Sequence, residues 1–310
     1  LRGRAGFTKA MSGMETPGRT ARDGRHIRVA AAPRPGVPAP AGVAAAGGRR
    51  QTPRMDDDAL LVLATRLASE AAAAINAVRA AGFAVERKSD RSPVTEADRI
   101  AEALIVEGLR AAAPHLPVIA EEEIEAGTAP TDPGRRFWLV DPLDGTREFA
   151  AGRDNFAVCI GLVEDGRAAL GAVALPATGE VFWGRPGAGA FKRDAAGTRP
   201  IAVRPAPPEG LVVMGSHHYR DDPRMGRFLE GRKVARIVNI GSAEKFCRLA
   251  EGSADLYPRF GRTMEWDTAG PQAVLEAAGG TLRLLQGGGP LTYGKPRWEN
   301  PGFVCEGAHP

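Results

Sequence analysis

The chain predicts an α/β fold built as an α+β half followed by an α/β half. Three observations carry this: apolar residues at helical spacing early on, short apolar runs between turns in the middle, and strands alternating with helices towards the end. At 310 residues there is chain enough for two domains or one large layered one.

Residues 1–54 are rich in Ala, Arg, Gly and Pro, hold few large apolar side chains and show no sustained period, which predicts a disordered basic tail. Met55 directly precedes the first well-patterned helix, so the tail reads as an upstream extension; scarce Ser and the lack of an amphipathic helix argue against a transit peptide. The tail also accounts for the charge. It holds ten Arg and Lys9 against Glu15 and Asp23, a surplus of +9, so the total of +4 leaves −5 for the rest. A mildly acidic body argues against a nucleic-acid polymer as partner.

Leu60, Leu61, Leu63, Leu67, Ala71, Ile75 and Val78 recur at helical spacing, and Gly82 stops the pattern. A polar loop from Lys88 to Asp98 leads into a second helix with Ile100, Leu104, Ile105 and Leu109 on its apolar face. Thr95 and Asp98 fit a capping box, with Asp in place of the preferred Glu. An apolar run at 117–120 stops at Glu121-Glu122-Glu123. Residues 156–163, 168–175, 181–183, 190–191 and 201–203 form short apolar runs, the pattern of an antiparallel meander. Pro205, Pro207, Pro208 and Gly210 mark a boundary, dividing the body into an N-terminal α+β domain (55–208) and a C-terminal α/β domain (209–310). Beyond it come strands at 211–214, 234–240, 254–257 and 282–285, with helices at 223–230, 242–251 and after Asp267.

The most informative stretch reads Phe-Trp-Leu-Val-Asp-Pro-Leu-Asp-Gly-Thr-Arg-Glu-Phe, from Phe137 to Phe149. An apolar strand delivers Asp141 and Asp144 into one turn, Pro142 stiffens it, and Gly145 lets backbone approach a ligand. Taken alone, Asp-Pro-x-Asp-Gly is also an ordinary turn. Two further acidic groups at element boundaries weigh against that: Glu121 with its neighbours, and Glu265-Trp266-Asp267 before a helix. The Glu run also fits a solvated loop, and Asp267 also fits a helix cap. Oxygen ligands with little His or Cys nearby suit a hard cation such as Mg²⁺ rather than zinc. Cys159, Cys247 and Cys305 are too widely spaced for a disulfide framework or a zinc site, which points to a reducing cytoplasm. No apolar stretch approaching a membrane span and no signal-peptide core is expected.

Taken together, Ser-Pro-Val-Thr-Glu-Ala-Asp ending at Asp98, Glu121-Glu122, Asp141-Pro142-Leu143-Asp144-Gly145-Thr146 and Trp266-Asp267-Thr268-Ala269 resemble the signature of the Mg²⁺-dependent, lithium-sensitive inositol monophosphatase superfamily. The resemblance runs over the whole body from Met55. Within the superfamily the chain is most similar to the CysQ-type 3′(2′),5′-bisphosphate nucleotidases, through 88–98, 138–149, Gly241-Ser242-Ala243-Glu244-Lys245-Phe246-Cys247, residues 254–261 and Asn300-Pro301-Gly302-Phe303.

The resemblance implies a layered αβαβα sandwich and a phosphoric monoester hydrolase of sulfur metabolism. Such an enzyme removes the 3′-phosphate of adenosine 3′,5′-bisphosphate, a small phosphorylated nucleotide. It implies Glu121, Asp141 and the Leu143 carbonyl as ligands of one Mg²⁺, and Asp141, Asp144 and Asp267 as ligands of a second, with a third, weaker ion near Glu121. Thr146 with Asp98 would orient and help deprotonate the attacking water, and Gly145 and Thr146 would hold phosphate oxygens. Ser242, Lys245 and Arg259 would contact the nucleotide; without the resemblance they read as surface charge. His217 and His218 are candidates for the adenine or 5′-phosphate. The pattern departs at Gly270-Pro271-Gln272, where Ala-Gly-His is usual, and the effect on the substrate side is open. The alternatives are an inositol or sugar monophosphatase using the same metals, and a catalytically silent metal-binding regulatory protein.

Overall fold

Asp56 starts the first helix, α1 (Asp57–Ala81), its carboxylate accepting from the Ala59 N–H at 2.8 Å, and Gly82, at φ 83°, ends it. The computed structural model describes residues 55–88, 93–217 and 221–308; the tail expected at 1–54, residues 89–92 of the polar loop, and His218 lie outside the described residues. The α1 stripe Leu60, Leu63, Leu67, Ala71 and Ile75 is buried, as are Ala97, Ala101, Ile105 and Leu109 of α2 (Glu96–Ala112). By length and composition alone α1 could cross a membrane, against the expectation that no stretch comes near. Its stripe of Leu60, Leu63, Leu67 and Ile75 is spent on α2 and a sheet, while Val62 stays exposed.

A hairpin of β1 (Val85–Arg87) and β2 (Pro93–Thr95) precedes α2. Next come β3 (Val118–Ala120), α3 (Glu121–Glu125), β4 (Arg136–Asp144) and α4 (Thr146–Ala150). The predicted meander follows as β5 (Ala157–Glu164), β6 (Arg167–Leu175), β7 (Glu180–Arg185), β8 (Gly189–Asp194) and β9 (Gly197–Ile201). These strands form a seven-stranded sheet in the order β3-β4-β5-β6-β7-β8-β9, antiparallel except for the parallel pair β3 and β4.

The second half contains β10 (Leu211–Ser216), α5 (Pro223–Leu229), β11 (Val234–Ile240), α6 (Glu244–Ala250), β12 (Leu256–Arg259) and β13 (Thr263–Met264). It closes with α7 (Ala269–Ala277), β14 (Thr281–Leu284), β15 (Glu299–Asn300) and β16 (Phe303–Glu306). Its five-stranded sheet runs β11-β10-β12-β16-β14; β10 is parallel to both neighbours, and β16 is antiparallel to β12 and β14. Alternation thus predicts β10 to β12 well, whereas β16, four residues long after a loop, carries no periodic signal. Helix α6 starts two residues later than predicted because Ser242 sits at φ 50°, outside the helical region.

Three hydrophobic clusters define the layers. One lies between α1, α2 and one face of the large sheet; a second joins the other face to α6, α7 and the small sheet; a third seals the small sheet with Met225, Phe228 and Leu229 of α5. The order is helix, sheet, helix, sheet, helix, the αβαβα sandwich. The large sheet lies wholly before residue 208 and the small one wholly after it, yet the second cluster draws on both.

The middle layer is unusually close-set. A Cβ on Gly171 of β6 would stand 2.6 Å from the Gly270 Cα, and one on Gly270 2.6 Å from the Ile160 carbonyl oxygen. One on Gly161 would stand 2.7 Å from the Ala269 carbonyl carbon. The first turn of α7 therefore rests on the sheet backbone to backbone, which only glycine permits.

A second link between the halves is ionic. Glu180 of β7 binds Lys192 of β8 and, at 2.7 Å, Arg248 of α6; Arg248 also reaches Glu244 and Glu251, each at 2.9 Å. Burial alone would raise the Glu180 carboxyl, but bonds from Arg248, Lys192 and Thr178 bring it down to about 2. A depressed carboxylate stabilises the fold above its unfolded value of about 4.5 and loses that contribution as pH falls towards 2. Urea midpoints should fall across this window, and Glu180→Gln should be less stable at pH 7 with a flatter acid limb. An unchanged limb would remove Glu180 from the acid response.

Candidate active site

The site starts where β4 ends. The ladder with β5 shifts register between Asp141 and Asp144, so the strand leaves the sheet as a turn. Asp141 is 2% exposed and accepts from the Leu143 N–H at 3.0 Å. Gly145 has φ 96°, and a Cβ there would meet the Asn155 carbonyl oxygen at 2.9 Å, so the glycine is required twice over. It opens α4 with no side-chain cap.

Asp98 caps its helix and pairs with Thr146. One carboxylate oxygen closes a full capping box with Thr95, accepting from its N–H and hydroxyl at 2.7 Å each. The other faces the Thr146 hydroxyl at 3.1 Å. That hydroxyl also lies 3.0 Å from the Leu143 carbonyl oxygen, and its single proton serves one acceptor at a time. Burial raises the Asp98 carboxyl, and the bonds from Thr95 and Thr146 oppose this.

Glu121 opens α3. Its partner is Lys88, whose ammonium contacts Glu121 at 2.8 Å, Glu122 at 2.6 Å and Glu125 at 3.3 Å. Beneath them, buried Glu102 accepts from the Glu122 and Glu123 N–H groups at 2.8 and 3.0 Å and caps the helix. Burial pushes Glu102 up to about 8 and Glu121 to about 7, the latter despite Lys88.

Asp144 accepts from the Ala243 N–H, across from the second half. Asp267 accepts from the Met264 N–H at 2.9 Å, and the helix-cap position belongs to Thr268. Neighbouring Glu265, fully buried, holds the Gly294 and Lys295 N–H groups and the Lys295 ammonium. Burial and then mutual repulsion raise the acids: Asp267 stands at about 8, chiefly through burial and Asp144, and Asp141 lies well above the usual range through burial, Glu121, Asp144 and Asp267. Among the described residues, no three His, Cys, Asp or Glu side chains stand close enough to enclose an ion. Asp141, Asp144 and Asp267 each turn one oxygen to a backbone N–H, and Glu121 faces Lys88. Even so, the set is all oxygen, buried at Asp141 and half-buried at the other three, and electrostatically strained, the environment in which a hard divalent cation is favoured.

These acids line a cleft of about 630 Å³ together with Leu143, Gly145 and Thr146. A smaller pocket of about 110 Å³ opens behind it, sharing Asp144, Arg259 and Asp267 and adding Ser242, Lys245 and Glu148. Thus Glu121, Asp141, Leu143, Asp144, Gly145, Thr146, Ser242, Lys245, Arg259 and Asp267 converge on two adjoining cavities. Lys245, readable in sequence as surface charge, is 3% exposed, and burial lowers its ammonium to about 8. Arg259 is half-buried and donates to the Arg262 carbonyl at 2.9 Å. His217 does not line either cavity.

Lys88, Glu102 and Glu148 carry no sequence signal of their role. Lys88 lies 33 residues from Glu121, and only the fold brings them together. Glu148, 3% exposed, looks in sequence like an ordinary residue of a short polar helix. The departure at Gly270-Pro271-Gln272 resolves structurally: Gln272 turns to Glu276 and to the Tyr293 hydroxyl, at 2.7 and 2.6 Å, and lines neither cavity. Pro271 occupies the first turn, where no intrahelical N–H bond is lost.

Known proteins are similar to this chain in sequence and fold. The 3′(2′),5′-bisphosphate nucleotidase CysQ of Salmonella typhimurium is 42% identical over 219 residues, 70% of this chain and 86% of that protein. CysQ of Escherichia coli K12 is 41% identical over 221 residues, 71% and 87% of the two chains. The crystal structure of CysQ from Bacteroides thetaiotaomicron, described as a bacterial member of the inositol monophosphatase family, superposes with a TM-score of 0.68 at 28% identity, over 80% of this chain and 97% of that one. An inositol monophosphatase from Thermotoga maritima gives 0.64 at 26%, over 80% and 91%. The inositol monophosphatase family model matches residues 56–306, nearly the whole described body, and the chain belongs to that family.

Proposed function

We propose that the protein is a Mg²⁺-dependent 3′(2′),5′-bisphosphate nucleotidase that hydrolyses the 3′-phosphate of adenosine 3′,5′-bisphosphate to AMP and phosphate in the cytoplasm. The observation that carries this reading is the joining of a carboxylate cleft, through Asp144, Arg259 and Asp267, to an inner pocket that adds Ser242 and Lys245, in a chain 42% identical to a CysQ nucleotidase. The family is metal-dependent, and the donor set suits two Mg²⁺ ions, with a third, weaker one near Glu121.

Glu121, Asp141 and the Leu143 carbonyl would hold one ion, and Asp141, Asp144 and Asp267 the other. When bound, such ions polarise the phosphoryl oxygens and activate water for in-line displacement. The chain's own groups do the rest. The Thr146 hydroxyl, 3.1 Å from the Asp98 carboxylate, orients the attacking water and passes a proton to Asp98. The N–H groups of Gly145 and Thr146 hold phosphate oxygens where charge develops. Ser242 and Arg259 face the rest of the nucleotide, and Lys245 lines the same inner pocket. On this reading the N-terminal half carries most of the metal chemistry, and the C-terminal half selects the substrate and lends Asp267.

Phosphate release from adenosine 3′,5′-bisphosphate, its 5′-phosphosulfate form and inositol 1-phosphate, with and without Mg²⁺, tests this directly. A strong preference for the nucleotides, lost without Mg²⁺ and reduced by millimolar Li⁺, is expected. A preference for the inositol ester would replace the assignment with that of an inositol monophosphatase, and no turnover of any ester would favour a silent metal-binding protein.

A further inference from the structure

Lys245 makes two bonds that an anion contact has no need of. Its ammonium donates to the Ser242 carbonyl at 2.5 Å and to the Ile240 carbonyl at 3.2 Å, and it lies 5.3 Å from the centre of the Tyr257 ring. Two of its three N–H groups are thus committed to backbone. The carbonyls they hold flank a turn under conformational strain: Ser242, at φ 50°, occupies the left-handed region that disfavours a side chain. The turn is wedged from both sides. A Cβ on Gly145 would lie 3.3 Å from the Ser242 Cβ, and one on Gly241 would lie 2.6 Å from the Glu148 Cγ. The next N–H along, that of Ala243, donates to the Asp144 carboxylate.

A continuous path therefore runs from the Lys245 ammonium through the Ser242 carbonyl and the Ala243 N–H to Asp144. We infer that Lys245 is a positioning residue: by clamping the 240–243 turn it aims the Asp144 carboxylate into the cleft, and this, rather than contact with a substrate anion, is its main task. The inference deepens the nucleotidase reading and rests on Asp144 being a metal ligand in it.

The test uses the full chain with Lys245→Met and Lys245→Gln. Calorimetric titration of Mg²⁺ into metal-free protein is combined with kcat and KM for adenosine 3′,5′-bisphosphate and adenosine 3′-monophosphate. Charge alone predicts that losing a cation beside the acids tightens Mg²⁺. A positioning role predicts the reverse for the Met variant: Mg²⁺ binding weaker by ~10-fold or more, as when a group that orients a metal ligand is lost, and kcat lowered alike on both substrates with their KM ratio unchanged. The Gln variant offers the Ser242 carbonyl an N–H from one bond further back and should recover part of the Mg²⁺ affinity lost in the Met variant, again with the KM ratio unchanged. Mg²⁺ binding equal to or tighter than wild type in the Met variant, with KM raised for the bisphosphate alone, overturns the inference. If the Met variant does not fold, the Gln variant decides by the same ratio, since an anion contact would raise it. Wild-type protein inactive on both nucleotides sinks the nucleotidase reading, while the Mg²⁺ titration still decides the role of Lys245.

Discussion

Replacing Asp141 by Asn is expected to lower turnover by about 10³-fold while raising the melting temperature of the metal-free protein. The loss follows from the position of Asp141, the one side chain assigned to both cations, so that a neutral amide leaves each under-ligated. The gain follows from electrostatics. Burial, together with Glu121, Asp144 and Asp267, holds the Asp141 carboxyl well above its ordinary range. A carboxyl raised on folding costs stability at every pH above its unfolded value, and at neutral pH that cost is present in the native state. Asparagine removes it and keeps the bond from the Leu143 N–H, which lands on an oxygen that both residues possess. Relief of a strained site is commonly worth ~0.5–2 kcal/mol, which for a body of this size is roughly 2–4 °C per kcal/mol. Melts in chelator at pH 7.5 and a phosphate-release assay settle both halves. Retained turnover would take Asp141 out of the mechanism, and a lowered melting temperature would refute the electrostatic argument.

The second large effect is expected at a residue that touches no ligand. Gly171→Ala places a methyl 2.6 Å from the Gly270 Cα, between two backbones with no flexible side chain to give way. Helix α7 must lift from the sheet, a strain at the upper end of overpacking, about 3 kcal/mol, or roughly 6–12 °C for a domain of this size. Asp267 stands two residues before α7, so turnover should fall with stability even at temperatures where the variant is folded. Gly226→Ala is the control, since nothing lies within 4 Å of its added Cβ and its helix gains propensity. If Gly171→Ala melts with the wild type, the close approach of helix and sheet is not a constraint.

Much of the site is legible in sequence because its acids sit at the ends of apolar runs. The run before Asp141 reads as a buried strand, and all of 137–141 is buried. The capping box at Thr95 and Asp98 is a local pattern and is found as written. What escapes is whatever depends on pairing across the fold. Lys88 and Glu102 stabilise the Glu121 segment from 33 and 20 residues away, and Ala243 meets Asp144 across 99. A lysine at helical spacing reads as solvated until the fold buries it, as it does Lys245. The short strands β13, β15 and β16 carry no periodicity at two to four residues each, and only their partners make them strands.

The glycine contact beneath α7 has a consequence for how the protein can vary. Where its first turn meets the strands the helix is seated by main chain, so its height above the sheet is set there by glycines and not by side-chain size. Within Gly-Pro-Gln at 270–272 the constraints differ in kind: the glycine is held by contact with strand backbone, and the buried glutamine by its bonds to Glu276 and Tyr293. A saturation library over β5, β6 and α7 should show Gly161, Gly171 and Gly270 intolerant of any substitution, while buried Val274 and Leu275 accept apolar replacements of similar volume.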